Sequence, residues 1–308
     1  MPRSNSSSSA SESLYALATA AARSVVVVGT AKNVGKTTTF NALRTVAQRH
    51  GTPTAVTSIG RDGEPSDALD AEPKPRVRLA AGTLVALPAA LVPRSPALAL
   101  LDRGEESALG TMMFARAMLA TTCEIAGPPT ARAMRATIDR LRALGQGPVL
   151  VDGAIDRIAP LAGGDDAIVV ATGAASGGTV ERVAAVAAEI VARLRIPGRD
   201  PATERTRIVR VAGALDVRDA EVLLGDSADV TVVVEDPTRV AIRGALFAKL
   251  LAFVDLRCER PLLVVACTTS PVGRDATLPA RALVEAVARA TGLPAFDVVA
   301  DLSAAADD

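Results

Sequence analysis

Aromatic residues are nearly absent: the 308-residue chain has no tryptophan, one tyrosine and five phenylalanines. That scarcity leaves no stacking platforms for nucleobases. Net charge is missing as well, with Lys+Arg and Asp+Glu at 34 each. Nucleic acid, bound through phosphate neutralisation and stacking, is therefore not an expected partner. His50 is the only histidine, and Cys123, Cys258 and Cys267 form no C-x-x-C pair. A histidine-based triad and a Cys/His zinc site are excluded, and three cysteines cannot make a fully paired disulfide set. The thiols read as small buried hydrophobes of a reducing cytoplasm. His50, just before Gly51, reads as a partner for the C-terminal dipole of a helix. Long apolar runs are also lacking: the stretch 84–101 is interrupted by Pro88, Pro93, Arg94 and Pro96, so no membrane span and no membrane partner are expected.

What the chain has in quantity is small aliphatic side chains, within a hydrophobic fraction of 49%. A core of Ala, Val and Leu suits helices packed on a parallel sheet, and the length suffices for one large α/β domain with additions. Residues 1–13 are rich in serine and read as a disordered tail, which leaves 14–308 as the folded unit. Residues 14–22 lack the form of a secretory signal.

The richest stretch is Gly29-Thr30-Ala31-Lys32-Asn33-Val34-Gly35-Lys36-Thr37-Thr38, which follows the apolar run 25–28 and leads into a helical pattern of Phe40, Leu43, Val46 and Ala47 ending at Gly51. A strand that runs through a glycine-rich loop into a helix aims unpaired backbone N–H groups at one point, where a polyphosphate is favoured. Lys36 is expected to reach the β and γ phosphates and Thr37 to hold Mg²⁺. The spacing departs from G-x-x-x-x-G-K-[ST], because Gly29 sits one residue early and Thr30 stands where the first glycine belongs. Gly29, Thr30, Asn33, Val34, Gly35, Lys36, Thr37 and Thr38 form the expected cradle. No Asn-Lys-x-Asp stretch for guanine occurs, which favours ATP.

A strand over 54–59 follows, ending in Gly60-Arg61-Asp62-Gly63-Glu64 where strand ends line the ligand crevice of an open α/β sheet. Residues 65–101 turn irregular and proline-rich, an excursion with short β-like pieces at 77–79 and 83–87. A short apolar run at 118–120 leads into a turn, Thr130 caps a helix that stops at Gly145, and the aliphatic strand 148–152 ends in Asp152-Gly153. A carboxylate at the end of a central strand beside the phosphate loop is what a second metal-holding position needs. Thereafter strands and helices alternate to the final strand at 296–299, which predicts a doubly wound, mainly parallel sheet.

Phosphoryl transfer needs a cradle, an oxygen pair on the cation and a group that orients the nucleophile. Lys36 with the loop fills the first role and Thr37 with Asp152 the second. Asp62, assigned to the cation as well, fills the third, with Glu64 beside it and Glu124 and Asp156 as weaker alternatives. Each acidic residue also reads as part of an ordinary solvated turn, and Arg61 either pairs with phosphate or is exposed. The loop Thr268-Thr269-Ser270-Pro271-Val272-Gly273 is a further candidate for contact with the base or a second ligand, or else an ordinary turn.

The early-glycine loop resembles that of the dethiobiotin synthetase and cobyrinate amidase group of P-loop proteins. Together with Asn41, the segment 58–64, Lys74-Pro75, Glu124-Ile125-Ala126-Gly127-Pro128, Val151-Asp152-Gly153-Ala154 and Ser270-Pro271-Val272-Gly273, it is similar to the family of ATP-binding subunits of lysine 5,6-aminomutase reactivases. That resemblance implies a P-loop NTPase fold and an Mg·ATP-driven switch. It also implies a second reactivase subunit and the adenosylcobalamin-dependent aminomutase as partners; the oligomeric state stays open, a homodimer among the options. The alternative is a ligase like dethiobiotin synthetase acting on a small carboxylated substrate. In that family a Lys-Pro pair follows the second strand, where this chain has Ser58-Ile59-Gly60-Arg61, which counts against it.

Overall fold

The computed structural model describes residues 8–59, 76–93, 96–107, 109–128, 130–153, 165–225 and 229–305. The first element, α1 (Ala10–Ala21), starts inside the stretch read as a tail, so that reading does not hold for residues 10–13. The Ser9 hydroxyl accepts from Glu12 N and caps the helix. Leu14 and Ala18 are fully buried, while Glu12 reaches Arg49 and His50 at 3.2 and 2.9 Å. The tail's serines concealed a helix because one of them is its cap.

β1 (Ser24–Gly29) is buried along its whole length, and α2 (Lys36–Arg49) follows after the loop. Successive β1 residues face opposite sides of the sheet. Val25 and Val27 join Leu14, Phe40, Leu43 and Val46 of α1 and α2, whereas Val26 and Val28 join the helices of the other face. Each fully buried side chain of this kind contributes roughly 1.5–3 kcal/mol.

β2 (Ala55–Ser58) is followed by β3 (Val77–Leu79), β4 (Leu84–Pro88), β5 (Leu98–Arg103), β6 (Met112–Ala117) and β7 (Thr121–Cys123). The short β-like pieces read at 77–79 and 83–87 are thus β3 and β4, and the end of the proline-rich excursion is β5. β4 pairs parallel with β2, β6 pairs antiparallel with β4, β5 pairs antiparallel with β6, and β3 and β7 make a separate two-stranded ribbon. Proline ends β4 rather than interrupting it, and Pro93 and Pro96 fall in the connection to β5, positions where no ladder N–H is required. The apolar run at 118–120 is not a strand. Met118 and Leu119 lie exposed in the bend after β6, and the strand precedes them at 112–117.

α3 (Ala131–Leu144) has the expected Thr130 cap, with Thr130 Oγ1 accepting from Ala133 N, and ends at Gly145. β8 (Val149–Asp152), β9 (Ala167–Gly173) and α4 (Val180–Leu194) follow. Next come β10 (Arg207–Arg210), α5 (Val217–Gly225), β11 (Val230–Val234), α6 (Gly244–Phe253) and β12 (Asp255–Cys258). The chain closes with β13 (Leu263–Ser270), α7 (Ala280–Thr291), β14 (Ala295–Asp297) and β15 (Leu302–Ala304).

The main sheet has ten strands in the order β15-β14-β13-β9-β1-β8-β2-β4-β6-β5, parallel from β14 through β4. Helices α1 and α2 cover one face, and α3, α4 and α7 the other. The alternation of strands and helices read from the sequence is real, but not all of it enters this sheet. β10, β11 and β12 form a separate parallel sheet with its own core around Leu215, Val232, Phe247 and Leu256, inserted between α4 and β13. Alternation reports βα units; which sheet a strand joins depends on which apolar faces meet. Among the described residues no helix is long and apolar enough to cross a membrane.

Candidate functional site

β1, β8 and β9 end side by side, with β1 in the middle. The chain leaves β1 at Gly29 and enters α2 at Lys36. Thr30 N donates to Ala171 O of β9 at 2.9 Å and Thr30 Oγ1 to Thr172 Oγ1 at 3.1 Å, anchoring the start of the loop. Val34, 1% exposed, pins its far limb into the same cluster as Val25 and Phe40. Between these anchors the backbone turns through two left-handed residues, Asn33 (φ 59°) and Gly35 (φ 87°). Asparagine tolerates that region and glycine favours it. Left-handed residues alternating with others bring successive N–H groups onto one concave side.

Gly35 precedes α2 with no side-chain cap, so the first amides of a 14-residue helix have no side-chain partner there. Lys36 bends back along the loop: Nζ donates to Ala31 O at 3.0 Å, and a Cβ on Gly29 would stand 2.6 Å from Lys36 Cδ and 2.9 Å from Nζ. Gly29 is therefore required for close approach, which explains why a glycine one residue early still serves. The lysine chain occupies the space a side chain would take.

Asp152 ends β8 level with Val27 of β1 on one side and Ser58 of β2 on the other. Gly153 N donates to Val27 O at 2.9 Å, and a Cβ there would come within 2.3 Å of that oxygen, so glycine is obligatory where the strand turns away. Asp152 Oδ1 is buried with no hydrogen-bond partner among the described residues. Burial raises its pKa to about 6, against a smaller opposing pull from the Lys36 ammonium. An orphaned carboxylate oxygen beside a lysine and an open helix start is a position for a cation. The described residues hold no group of three or more His, Cys, Asp or Glu able to bind a metal by themselves.

The β13 loop reaches the same place. Ser270 Cβ lies 3.1 Å from the Cβ position of Gly35, and Thr268 Oγ1 hydrogen-bonds Thr39 Oγ1 of α2 at 2.8 Å. Gly273 packs against Ala174 in the turn after β9. Thr172 and Ser176, linked at 3.2 Å, complete a hydroxyl-lined wall that sequence reasoning missed. Its signal was a strand ending in Ala171-Thr172-Gly173 beside the loop strand. Gly29, Thr30, Asn33, Val34, Gly35, Lys36, Thr37, Thr38 and Asp152 thus come together at the carboxyl ends of the central strands. Asp62, with Arg61 and Glu64, lies outside the described residues, as do Asp156, Lys74 and Pro75.

Glu124 follows β7, on the ribbon rather than on the main sheet. The three thiols are buried, which pushes Cys123 and Cys258 up to about 11 and Cys267 to about 12, so none is a nucleophile at neutral pH. His50 terminates α2, pairs with Glu12 and meets the Tyr15 ring edge-on at 5.9 Å.

Fold and site together define an α/β protein with a large, mostly parallel central sheet and a lysine-bearing glycine loop at the carboxyl end of its middle strand. No family model, no curated protein and no solved structure matches the chain.

Proposed function

We propose that this protein is a P-loop ATPase that holds Mg·ATP at the 29–38 loop. Following its sequence resemblance, it acts as the ATP-binding subunit of a reactivase for an adenosylcobalamin-dependent lysine 5,6-aminomutase. The observation that carries the nucleotide reading is the Lys36 ammonium folded over Gly29, next to a buried Asp152 oxygen that lacks a partner.

The donor set suits the ligand. Mg²⁺ keeps most of its shell as water and phosphate oxygens, and needs from the protein a hydroxyl and a carboxylate, here Thr37 and Asp152. Bound there, the cation would neutralise charge across the β and γ phosphates. The loop's amides and the start of α2 orient the phosphate chain, and Lys36 exchanges its bond to Ala31 O for a phosphate oxygen. Asp62, assigned from the sequence alone, would orient the attacking water.

Calorimetry with Mg·ATP tests the site. Binding by the wild type and its loss in Lys36→Ala are expected, whereas equal affinity in the two removes the proposal. ATP turnover that rises on adding an inactivated aminomutase supports the reactivase role, and turnover that responds instead to a small carboxylated substrate refutes it.

A further inference from the structure

A second basic feature lies on the far half of α2, about 12 Å along the helix axis from Lys36 at 1.5 Å per residue. There Arg44 and Gln48 face Arg78 of β3 and the β3–β4 connection across a cleft of about 370 Å³. An adjoining hollow shares Arg44 and Gln48 and runs to Thr52 and Thr83. No acidic residue lines either one among the described residues.

Among the described residues the two arginines make none of the usual pairings with carboxylates. Surface arginines pair with carboxylates or extend into water. Arg44 Nη2 donates to Asn41 Oδ1 at 3.1 Å, but its Nε is buried with no partner. Arg78 sits between buried Val77 and Leu79 and points away from their core, and neither arginine has a carboxylate partner among the described residues. Burial, followed by the charge of Arg78, lowers the Arg44 pKa from its usual value. By contrast Arg135 and Arg142, on α3 at the opposite face of the sheet, are neutralised by Asp166 at 2.5 and 3.3 Å. Two like charges facing each other across a cleft suit a group of opposite charge between them.

We propose that this cleft binds a phosphoryl dianion, gripped by Arg44 and Arg78, with Gln48 and the hydroxyl-lined hollow receiving the rest of a small phosphomonoester. Two guanidiniums match a double negative charge and offer forked donors to tetrahedral oxygens. A phosphate group alone does not fill the volume, which lies in the range of small-ligand sites. The site is independent of the nucleotide loop, although both sit on α2.

Titration of the Lys36→Ala protein with inorganic phosphate and with glycerol 3-phosphate, followed by backbone amide shifts, separates this cleft from the loop. Shifts confined to residues 44–54 and 78–83, with affinity at least about tenfold weaker in Arg78→Gln, are expected. Tighter binding of glycerol 3-phosphate assigns the cleft to a phosphomonoester, and equal binding assigns it to free phosphate. Because Arg78 is exposed, its replacement leaves the fold intact. Arg44→Met should melt higher than the wild type without anion, having lost a buried unpaired N–H and a like-charge contact, and should no longer respond to phosphate. Unchanged phosphate affinity in Arg78→Gln, or an absence of shifts at the cleft, overturns the proposal.

Discussion

The chain contains a mainly parallel large sheet and a wholly parallel small one, and their strand ends differ. In the small sheet the charges that emerge after β11 and β12 are closed off by neighbours. Glu235 is held by Arg239 at 2.5 Å and by Arg260, and Glu259 by Arg210 and by Arg199 at 3.4 Å. Asp236 caps the turn that follows through Thr238 N at 2.9 Å; its second oxygen is buried without a hydrogen bond, and the Arg260 guanidinium stands 3.9 Å from it. At the ends of β1 and β8 no carboxylate–arginine pair forms among the described residues: the helix start has no side-chain cap, the lysine's ammonium donates to a loop carbonyl, and Asp152 Oδ1 has no hydrogen-bond partner. Charges satisfied by the fold stabilise it modestly at best, whereas charges left unsatisfied at a strand end await a ligand.

The largest expected effect that sharpens this contrast is the loss of Mg·ATP affinity in Lys36→Ala. Removing a charge-assisted hydrogen bond of roughly 1.5–3 kcal/mol corresponds to about 10- to 100-fold in Kd by calorimetry. Asp152→Asn comes next and acts in two directions. In the free protein the Asp152 pKa is raised to about 6, so the folded state holds a proton that the unfolded chain gives up near pH 4. Its contribution is therefore neutral well below pH 4, turns destabilising as pH climbs through that window, and stays so above about 6. Asp152→Asn should raise the melting temperature at pH 7.5 and leave it unchanged at pH 3.5, while Mg²⁺-dependent ATP affinity falls. In the wild type that affinity should decline as pH drops through about 6, because the cation needs the ionised carboxylate. A melting temperature that Asp152→Asn leaves unchanged at pH 7.5 would mean the carboxylate is not an unpaired buried charge.

Gly29→Ala should be smaller. Its Cβ displaces the flexible Lys36 side chain rather than backbone, so the fold persists while ATP affinity falls by about threefold to tenfold. Least of all, Glu235→Gln should change neither nucleotide affinity nor melting temperature appreciably, since the carboxylate is exposed and its hydrogen bond from Arg239 is screened. A loss of ATP binding there as large as that of Asp152→Asn would erase the distinction between the two sheets.

Much of the central site was legible because it is local. Gly29, Gly35, Lys36 and Thr37 lie within one strand–loop–helix unit, and Asp152-Gly153 announces itself at the end of an aliphatic strand. The Thr130 cap and the Gly145 stop are likewise local chemistry. The errors came where pattern and pairing diverge. Within the proline-rich excursion the short β-like pieces at 77–79 and 83–87 were legible as β3 and β4, but not that β4 continues the main sheet parallel to β2, nor that β5 and β6 extend it further. Ser-rich composition suggested disorder over 1–13, but one serine, Ser9, caps α1 and suffices to start it at Ala10.

The sequence by itself determined the glycine loop, the lysine that opens the helix after it, the aspartate at the end of an aliphatic strand, and the alternation of β and α, because each follows from side chains within a few residues of one another. Only the tertiary structure decided that β10, β11 and β12 leave the main sheet, that Thr172 and Ser270 join the loop, and that Arg44 and Arg78 confront each other. Those outcomes depend on which apolar faces bury each other across large sequence separations, and a local pattern carries no record of its distant partner.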